Sequence, residues 1–337
     1  MTTRRDFIKT TVIAGIGGAA LANAGVAEAD APSTGPRQMP RGLTLLSMVQ
    51  ADGSETLGVK LPNGILDVAN AGKALKIDAP TTLEHLLASG NAHALEQLID
   101  KAKARKEFLK DEAAIKFGRL FSNPKKIVCV GLNYKEHIEE AGEKLPKEPI
   151  LFNKYNNTLA AHNCTIKLPP REVSYKFDYE TELLIVIGKT ARNVSEAEAL
   201  DHVAGYAIGH DFSARDLQLE KGGQWMIGKT LDSFAPIGPY FVSADQVDPN
   251  NLTIETFIND ETKPRQSSNT SKFIFNPQKV ISYTSRLFAL EPGDIIFTGT
   301  PSGVIIGMPK DKQVWLKAGD KITSRIEKLG TLRFELA

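Results

Sequence analysis

The sequence has little of what would point to a disulfide-rich protein, a nucleic-acid binder or a membrane protein. It contains two cysteines in 337 residues, and its 41 Lys and Arg residues almost balance its 40 Asp and Glu residues. A formal net charge of +1, without any basic run, gives no electrostatic basis for binding nucleic acid or an anionic membrane. Cys129 lies in the apolar run KIVCVGL and is predicted to be a buried thiol, with a disulfide to Cys164 as the alternative outside the cytoplasm.

Long apolar runs are also missing, and no stretch beyond the N-terminus could span a membrane. Residues 1–29 begin with Arg4 and Arg5 in the pattern RRxFIK, continue with a Gly/Ala-rich stretch and end at the small residue Ala29. This order resembles a bacterial twin-arginine export signal, with a lipid anchor or a core helix as the alternative. The resemblance predicts a periplasmic protein without stable membrane insertion after processing. Because this route carries folded proteins, it also weakly favours a bound metal or cofactor.

The rest of the chain divides by composition into a linker and two predicted domains. Residues 30–41 form a polar, Pro-rich linker, and residues 42–122 are predicted to form a small α+β domain with a hairpin at Asn63-Gly64. Helices are predicted over residues 81–89 and 92–107. Residues 123–337 contain many short apolar runs separated by Gly and Pro, and few segments long enough for a crossover helix. The predicted fold class is therefore α+β and mostly β, with a barrel-like or multi-sheet larger domain.

Three carboxylates lead into an apolar strand in the run DYETELLIVIG, at Asp178, Glu180 and Glu182. Successive side chains of a strand point to opposite faces, so Glu180 and Glu182 share one face. Burying an unpaired carboxylate is costly, and a divalent cation, which selects oxygen ligands, compensates for that cost. A second apolar run ends at Asp211, which could complete a set of three ligands, whereas the neighbouring His210 would face away and is interpreted as structural. The alternative is an exposed strand end that pairs with lysines.

Four motifs, in this order, resemble the catalytic core of the fumarylacetoacetate hydrolase superfamily. They are GLNYKEHIEEAG at 131–142, DYETELLIVIG through SARDLQ at 178–218, GKTLDSFAPIGP at 228–239 and PGDIIFTGTPSGV at 292–304. The resemblance covers residues 125–337 and implies a mixed β-roll or barrel around a divalent metal. It implies Glu180, Glu182 and Asp211 as the ligands, with Mg²⁺ as the expected ion and Mn²⁺ or Ca²⁺ as alternatives.

The same resemblance implies the residues that move protons and hold charge. His137, supported by Glu140 three residues later, is implied as a general base within a segment that acts as a lid. A solvated helical turn remains the alternative, and Glu139 is the alternative partner if the segment is not helical. Lys229 is implied as a catalytic lysine that anchors a substrate oxygen or stabilises an oxyanion.

Substrate-binding roles are implied for Arg215, Gln218 and Thr300. Arg215 could instead pair with Asp216 or with a neighbouring glutamate. Further possible contacts are Tyr134, Lys154, Ser213 and Trp225, the last of which could equally belong to the core. The G-x-S-x-G signature is absent, which argues against a serine hydrolase.

The chemistry implied by the resemblance is hydrolysis of the C–C bond of a 2,4-dioxo acid, such as an acylpyruvate or fumarylpyruvate, through a metal-stabilised enolate. Isomerisation of a 2-hydroxydienoate, as in 5-carboxymethyl-2-hydroxymuconate isomerase, and decarboxylation of a 2-oxo acid, as in oxaloacetate decarboxylase, are alternatives on the same site. A non-catalytic periplasmic binding protein is the alternative of another class. The expected partners are a small 2-oxo acid and, by analogy with relatives, a second copy of the chain in a homodimer.

Overall fold

A computed structural model describes residues 38–337. The predicted export signal at 1–29 and most of the predicted linker at 30–41 lie outside the described residues. Among the residues that are described, no helix combines the length and the apolar character that crossing a membrane requires.

Nineteen strands and six α-helices form in the described part of the chain. The helices are α1 (Val68–Leu75), α2 (Leu83–Ser89), α3 (Ala92–Ala102), α4 (Lys135–Ala141), α5 (Arg215–Glu220) and α6 (Pro277–Leu287). The strands are β1 (Thr44–Val49), β2 (Glu55–Leu61), β3 (Gly64–Asp67), β4 (Leu109–Lys110), β5 (Ile127–Gly131), β6 (Ile150–Asn153), β7 (Leu159–Ala160), β8 (Cys164–Ile166), β9 (Phe177–Asp178), β10 (Thr181–Ile187), β11 (Val203–His210), β12 (Ser213–Ala214), β13 (Ala235–Pro236), β14 (Phe241–Ser243), β15 (Thr253–Ile258), β16 (Gln266–Asn269), β17 (Ile295–Phe297), β18 (Lys321–Ile326) and β19 (Gly330–Leu336).

Two large sheets carry the fold of residues 38–337, which confirms the predicted α+β, mostly β class. The larger sheet has ten strands in the order β4-β3-β2-β1-β14-β11-β10-β17-β5-β6, all antiparallel neighbours except the parallel pair β17 and β5. The smaller sheet has five strands in the order β16-β15-β18-β19-β8. Because β1 pairs with β14, strands from both predicted domains share the larger sheet. The predicted boundary between residues 122 and 123 stays a prediction.

The predicted N-terminal elements are largely present, with three differences. A hairpin joins β2 to β3 as predicted, but its two loop residues are Pro62 and Asn63, and Gly64 is the first residue of β3. Residues 68–75, for which no helix is predicted, form α1, because the Asp67 side chain accepts a hydrogen bond from Asn70 N and caps a new helix. Helix α3 ends at Ala102 rather than at 107, since residues 103–106 offer no large apolar side chain to bury.

Strand β10 lies inside the ten-stranded sheet, and its two faces enter two hydrophobic clusters. Leu184 and Val186 belong to the cluster that covers helices α1 to α3. Leu183, Ile185 and Ile187 belong to the cluster shared with the five-stranded sheet and α6. The alternation expected of a strand therefore holds through the whole apolar run, and it fixes which face the preceding glutamates occupy.

Candidate active site at the start of strand β10

The three predicted metal ligands converge at one end of β10. Strands β10 and β11 are antiparallel with Thr181 opposite His210, so Glu180 just before β10 lies beside Asp211 just after β11. The Asp211 N–H donates to the Glu180 carbonyl at 2.9 Å. Ligand oxygens of Glu180, Glu182 and Asp211 all lie within 4.8 Å of one another. That spacing suits a shared cation, because two ligands of one ion lie at most about twice a 2.0–2.6 Å bond apart.

His210 is structural, in agreement with its predicted orientation. Its Nε2 accepts the Glu180 N–H at 3.0 Å and its Nδ1 lies 3.1 Å from Ser324 Oγ on the five-stranded sheet. Complete burial lowers the pKa of His210 to about 3, which keeps the ring neutral and its Nε2 free to accept. Thr181 also faces the five-stranded sheet, with its Oγ1 2.7 Å from Ser324 Oγ.

Buried cations neutralise two of the three carboxylates. The Lys229 ammonium donates to Glu180 Oε2 at 2.7 Å and to Asp211 Oδ2 at 2.9 Å, and the Lys154 ammonium donates to Asp211 Oδ1 at 2.6 Å. Arg215 Nη2 lies 2.6 Å from Glu180 Oε1. Burial alone would raise the pKa of Glu180, but Lys229 and then Arg215 outweigh burial and hold this pKa below its usual range.

Glu182 is the carboxylate that these cations leave uncompensated. Within residues 38–337 its one hydrogen-bond donor is the Gly299 N–H, at 2.6 Å, and no Lys or Arg forms an ion pair with it. Burial, followed by the charges of Asp211 and Glu180, raises the pKa of Glu182 well above its usual value. A buried carboxylate without a counter-charge, beside two further oxygen ligands, fits the requirements of a divalent-cation site.

The predicted His–Glu pair is present on helix α4. His137 Nδ1 lies 2.8 Å from Glu140 Oε1, one helical turn away, and His137 is buried. Because the segment is helical, Glu140 rather than Glu139 is the partner; Glu139 is exposed and lies 3.7 Å from the Lys135 ammonium. The predicted alternative of a solvated turn therefore does not hold for the imidazole.

A cavity of about 140 Å³ joins these groups. Its lining includes Glu180, Glu182, Asp211, His137, Arg215, Gln218, Lys229, Thr300 and Trp225. All residues predicted for catalysis, cation binding or substrate binding line the cavity except Glu140, which stands behind the lining in contact with His137. Of the weaker predicted contacts, Lys154 also lies outside the lining. The alternative of a binding protein would be favoured if the His–Glu pair lay far from the triad, whereas His137 lines the same cavity as the triad.

The weaker predictions have mixed outcomes. Arg215 pairs with Asp178 and Glu180 rather than with Asp216, and Gln218 Oε1 accepts from Arg215 Nη1 at 2.9 Å. The Thr300 hydroxyl donates to the Thr181 carbonyl at 2.9 Å. Tyr134 and Ser213 are buried outside the cavity lining, and both cysteines are free thiols.

Sequence reasoning undervalued two residues at this site. Lys154 was only one of several possible contacts, although its ammonium is fully buried against Asp211. Asp178 was recognised as a carboxylate but received no role; it is fully buried and accepts from Arg215 Nε at 2.8 Å. The signal for Asp178 was its place in the alternating run of carboxylates with Glu180 and Glu182.

Comparison with known proteins is consistent with this geometry. The family model described as fumarylacetoacetate (FAA) hydrolase C-terminal matches residues 126–337. A fumarylacetoacetate hydrolase domain-containing protein 2 homologue from Dictyostelium discoideum is 45% identical over 292 residues, which cover 83% of this chain and 92% of that protein. The mitochondrial oxaloacetate tautomerase FAHD2A of Bos taurus is 38% identical over 274 residues, covering 79% of this chain and 85% of that protein.

Two solved structures of related hydrolases share the fold of this chain. The fumarylacetoacetate hydrolase from Exiguobacterium antarcticum superposes with a TM-score of 0.70 at 31% identity, over 87% of this chain and 99% of that chain. The fumarylpyruvate hydrolase from Pseudomonas aeruginosa, solved in complex with Mn²⁺ and pyruvate, has a TM-score of 0.56 at 34% identity, over 64% of this chain and 90% of that chain. The acidic triad and this Mn²⁺ complex together support a divalent cation as the cofactor class.

The predicted periplasmic location is wrong by this comparison. The names of the tautomerases from Xenopus laevis, Bos taurus and Homo sapiens place those relatives in mitochondria, and nothing in the comparisons supports a twin-arginine signal. Paired arginines before small apolar residues are a short compositional pattern, which does not by itself specify a compartment. The predicted fold and family rest on the order of several motifs along the chain and are supported by the comparisons: the chain is an enzyme that belongs to the fumarylacetoacetate hydrolase family.

Proposed function

We propose that this enzyme interconverts the keto and enol forms of a small 2-oxo dicarboxylic acid such as oxaloacetate. The observation that carries the proposal is that His137, supported by Glu140 behind it, lines the same small cavity as the acidic triad. Relatives named oxaloacetate tautomerase, which are 37–43% identical to this chain, support the choice of substrate. The proposal replaces C–C hydrolysis, favoured by the sequence motifs, as the first candidate.

The size of the cavity favours a substrate of few atoms. Its volume of about 140 Å³ is close to that of an engineered cavity of about 150 Å³ that holds benzene, and below the roughly 300–1,000 Å³ typical of pockets for drug-sized ligands. A four-carbon 2-oxo dicarboxylate, or a 2,4-dioxo acid of similar size such as acetylpyruvate, matches this space better than the longer fumarylpyruvate does.

Glu180, Glu182 and Asp211 would hold the divalent cation, with Mg²⁺ as the proposed ion and Mn²⁺ as the alternative. When bound, such a cation supplies Lewis-acid polarisation of the 2-oxo group, where negative charge develops as a proton leaves C3. The fit rests on Glu182, because its buried charge has no other counter-ion among residues 38–337.

His137 is the proposed group that moves the proton. When its Nδ1–H donates to Glu140, the imidazole Nε2 keeps a lone pair that can accept a proton from C3 of the substrate. The carboxylate of Glu140 then stabilises the imidazolium until the proton is returned, at the 2-oxo oxygen for the enol or at C3 for the keto form. Burial of His137 excludes water that would otherwise compete for the proton.

Three side chains are placed to orient the substrate carboxylates. Lys229 lies between two triad carboxylates and lines the cavity. The amide oxygen of Gln218 is occupied by Arg215, so its amide nitrogen is the group left to donate to a carboxylate. Arg215 adds positive charge to the same wall.

A second candidate is hydrolysis of an acylpyruvate, which the 34% identical fumarylpyruvate hydrolase supports. The same His137–Glu140 pair could deprotonate a water molecule for attack on a C4 carbonyl. The products distinguish the two reactions, since hydrolysis releases pyruvate and a carboxylic acid whereas tautomerisation conserves the substrate carbon skeleton.

The test is an ultraviolet assay of enol absorbance with oxaloacetate and, separately, acetylpyruvate, with Mg²⁺ or EDTA, and with pyruvate measured by a coupled dehydrogenase. We expect cation-dependent relaxation of enol to keto oxaloacetate without pyruvate release, and a loss of about 10²–10⁴-fold in His137→Ala. His162→Asn is the matched control, because His162 is equally buried but lies outside the cavity lining. Stoichiometric pyruvate from acetylpyruvate, with no faster relaxation of oxaloacetate, would replace the tautomerase by the hydrolase.

A further inference from the structure

Asp178, the first carboxylate of the DYETE run, takes no part in the acidic triad. It is fully buried at the end of β9 and accepts four hydrogen bonds. Oδ1 accepts the N–H groups of Tyr179 at 2.9 Å and Ile305 at 2.8 Å. Oδ2 accepts Ile306 N–H at 3.0 Å and Arg215 Nε at 2.8 Å. One carboxylate therefore joins the segment between β9 and β10, the loop after β17 and an arginine of the cavity wall.

The loop that Asp178 holds is the loop that supports Glu140. The Gly303 N–H donates to Glu140 Oε2 at 2.9 Å, while the other oxygen of Glu140 faces His137. The Tyr179 hydroxyl fixes the same peptide region by donating to the Gly303 carbonyl at 2.7 Å. The backbone at Gly307 also packs directly on this carboxylate, since a Cβ added there would lie 2.7 Å from Glu140 Oε1.

We propose that Asp178 is a positioning residue, which sets the orientation of Glu140 and His137 by fixing the 303–307 loop. The inference rests on the proposed role of the His137–Glu140 pair in proton transfer. It explains why the run contains a third buried carboxylate: Glu180 and Glu182 would serve the cation, and Asp178 ties the acid–base pair to the same segment of the chain. A displacement of about 1 Å in a catalytic group can cost on the order of 10²-fold in rate, so the tie matters for turnover.

A carboxylate is required at this position because each of its two oxygens accepts two hydrogen bonds. In Asp178→Asn one oxygen becomes an NH₂ group, which cannot accept the N–H groups it would face. If the amide replaces Oδ1, the hydrogen bonds from Ile305 N–H and Tyr179 N–H are lost. If it replaces Oδ2, those from Ile306 N–H and Arg215 Nε are lost. The triad carboxylates themselves are unchanged by this substitution.

The test is a double-mutant cycle on kcat between Asp178→Asn and Glu140→Gln, measured with oxaloacetate and Mn²⁺. We expect Asp178→Asn to lower kcat by about 10–100-fold in the natural background and by less than about 3-fold in the Glu140→Gln background, because Asp178 acts through Glu140. An increase in KM through Arg215 should persist in both backgrounds. Mn²⁺ affinity, measured by the electron paramagnetic resonance of free Mn²⁺, should stay within about twofold.

The matched control is Asp294→Asn. Asp294 is equally buried and also holds a loop, by accepting Lys126 N–H at 2.9 Å and Glu291 N–H at 2.7 Å, but it does not line the cavity. We expect this variant to lose stability while keeping kcat. If Asp178→Asn does not fold, Tyr179→Phe removes one hydrogen bond from the same loop and should lower kcat by about 2–10-fold, again with little effect in the Glu140→Gln background.

The two proposals fail in different ways. Natural kcat in Glu140→Gln would overturn the proposed function itself. The positioning role alone would be overturned if Glu140→Gln is impaired but Asp178→Asn or Tyr179→Phe still lowers its kcat by the full factor. It would also be overturned if Asp294→Asn loses as much kcat as Asp178→Asn does. Non-additive loss confined to the Asp178 and Tyr179 variants is the result that supports it.

Discussion

The run from Asp178 to Ile187 is buried along its whole length, yet its two halves are held by different forces. Leu183 to Ile187 pack into two hydrophobic clusters, where removing each side chain from water stabilises the fold by about 1.5–3 kcal/mol. Asp178 to Glu182 place charge in the same interior, and the structure supplies a paired cation for Asp178 and Glu180 but only the Gly299 N–H for Glu182. Burial alone therefore does not distinguish a structural residue from a functional one, whereas a buried charge without a paired cation indicates a binding site.

The largest effect is expected from removing a triad carboxylate. Asp211→Asn keeps the size of the side chain but takes away a charged oxygen ligand, so Mn²⁺ affinity should fall sharply and turnover should fall by about 10³-fold. Calorimetric titration with Mn²⁺ and the enol assay measure the two effects. If turnover survives without measurable Mn²⁺ binding, the triad is not the cation site, and the charged half of the run does not differ in function from its apolar half.

A substitution in the apolar half of the run should lower stability and leave cation binding and turnover unchanged. Ile185 is fully buried in the cluster shared with the five-stranded sheet, so Ile185→Ala should lower the free energy of unfolding by about 2–5 kcal/mol through the cavity it leaves. Chemical denaturation measures this loss. Mn²⁺ affinity and kcat of the folded protein should change by less than about twofold, and a large change in either would show that the two halves are not separable.

Glu182→Gln sharpens the contrast, because it should stabilise the protein when no cation is present. The raised pKa of Glu182 means that the folded state holds this proton more tightly than the unfolded state does. The contribution of Glu182 to stability is therefore present at low pH and is lost as pH rises from the unfolded value towards the raised folded value. In EDTA, Glu182→Gln should be more stable than the natural protein by on the order of 1–3 kcal/mol at pH 8, and by less at pH 5.

The control for this prediction is the same comparison with saturating Mn²⁺. The cation should stabilise the natural protein, in which Glu182 is a ligand, and should stabilise Glu182→Gln much less. Urea denaturation at both pH values, with EDTA or Mn²⁺, gives all the required free energies. A Glu182→Gln variant that is less stable in EDTA at pH 8 would show that another group compensates the buried charge.

Much of the candidate site could be predicted from local pattern. The period of two along a strand placed Glu180 and Glu182 on one face, and the end of the next apolar run marked Asp211. The i, i+3 spacing of His137 and Glu140 required only that α4 form. The ends of elements were less predictable: α1 was missed because its start depends on one capping side chain, Asp67.

The sequence by itself determined the mostly β class, the order of the motifs and the types of residue that make the chemistry, because alternation, helical spacing and turn residues are local properties. The tertiary structure alone decided which partners these residues meet. Lys154 reaches Asp211 across 57 residues, Gly303 reaches Glu140 across 163, and Asp178 rather than Asp216 pairs with Arg215. Such contacts depend on how β10 is placed between β11 and β17. The periodicity of the sequence does not encode the position of β10 in the sheet, because that position follows from burying both faces of the sheet at once.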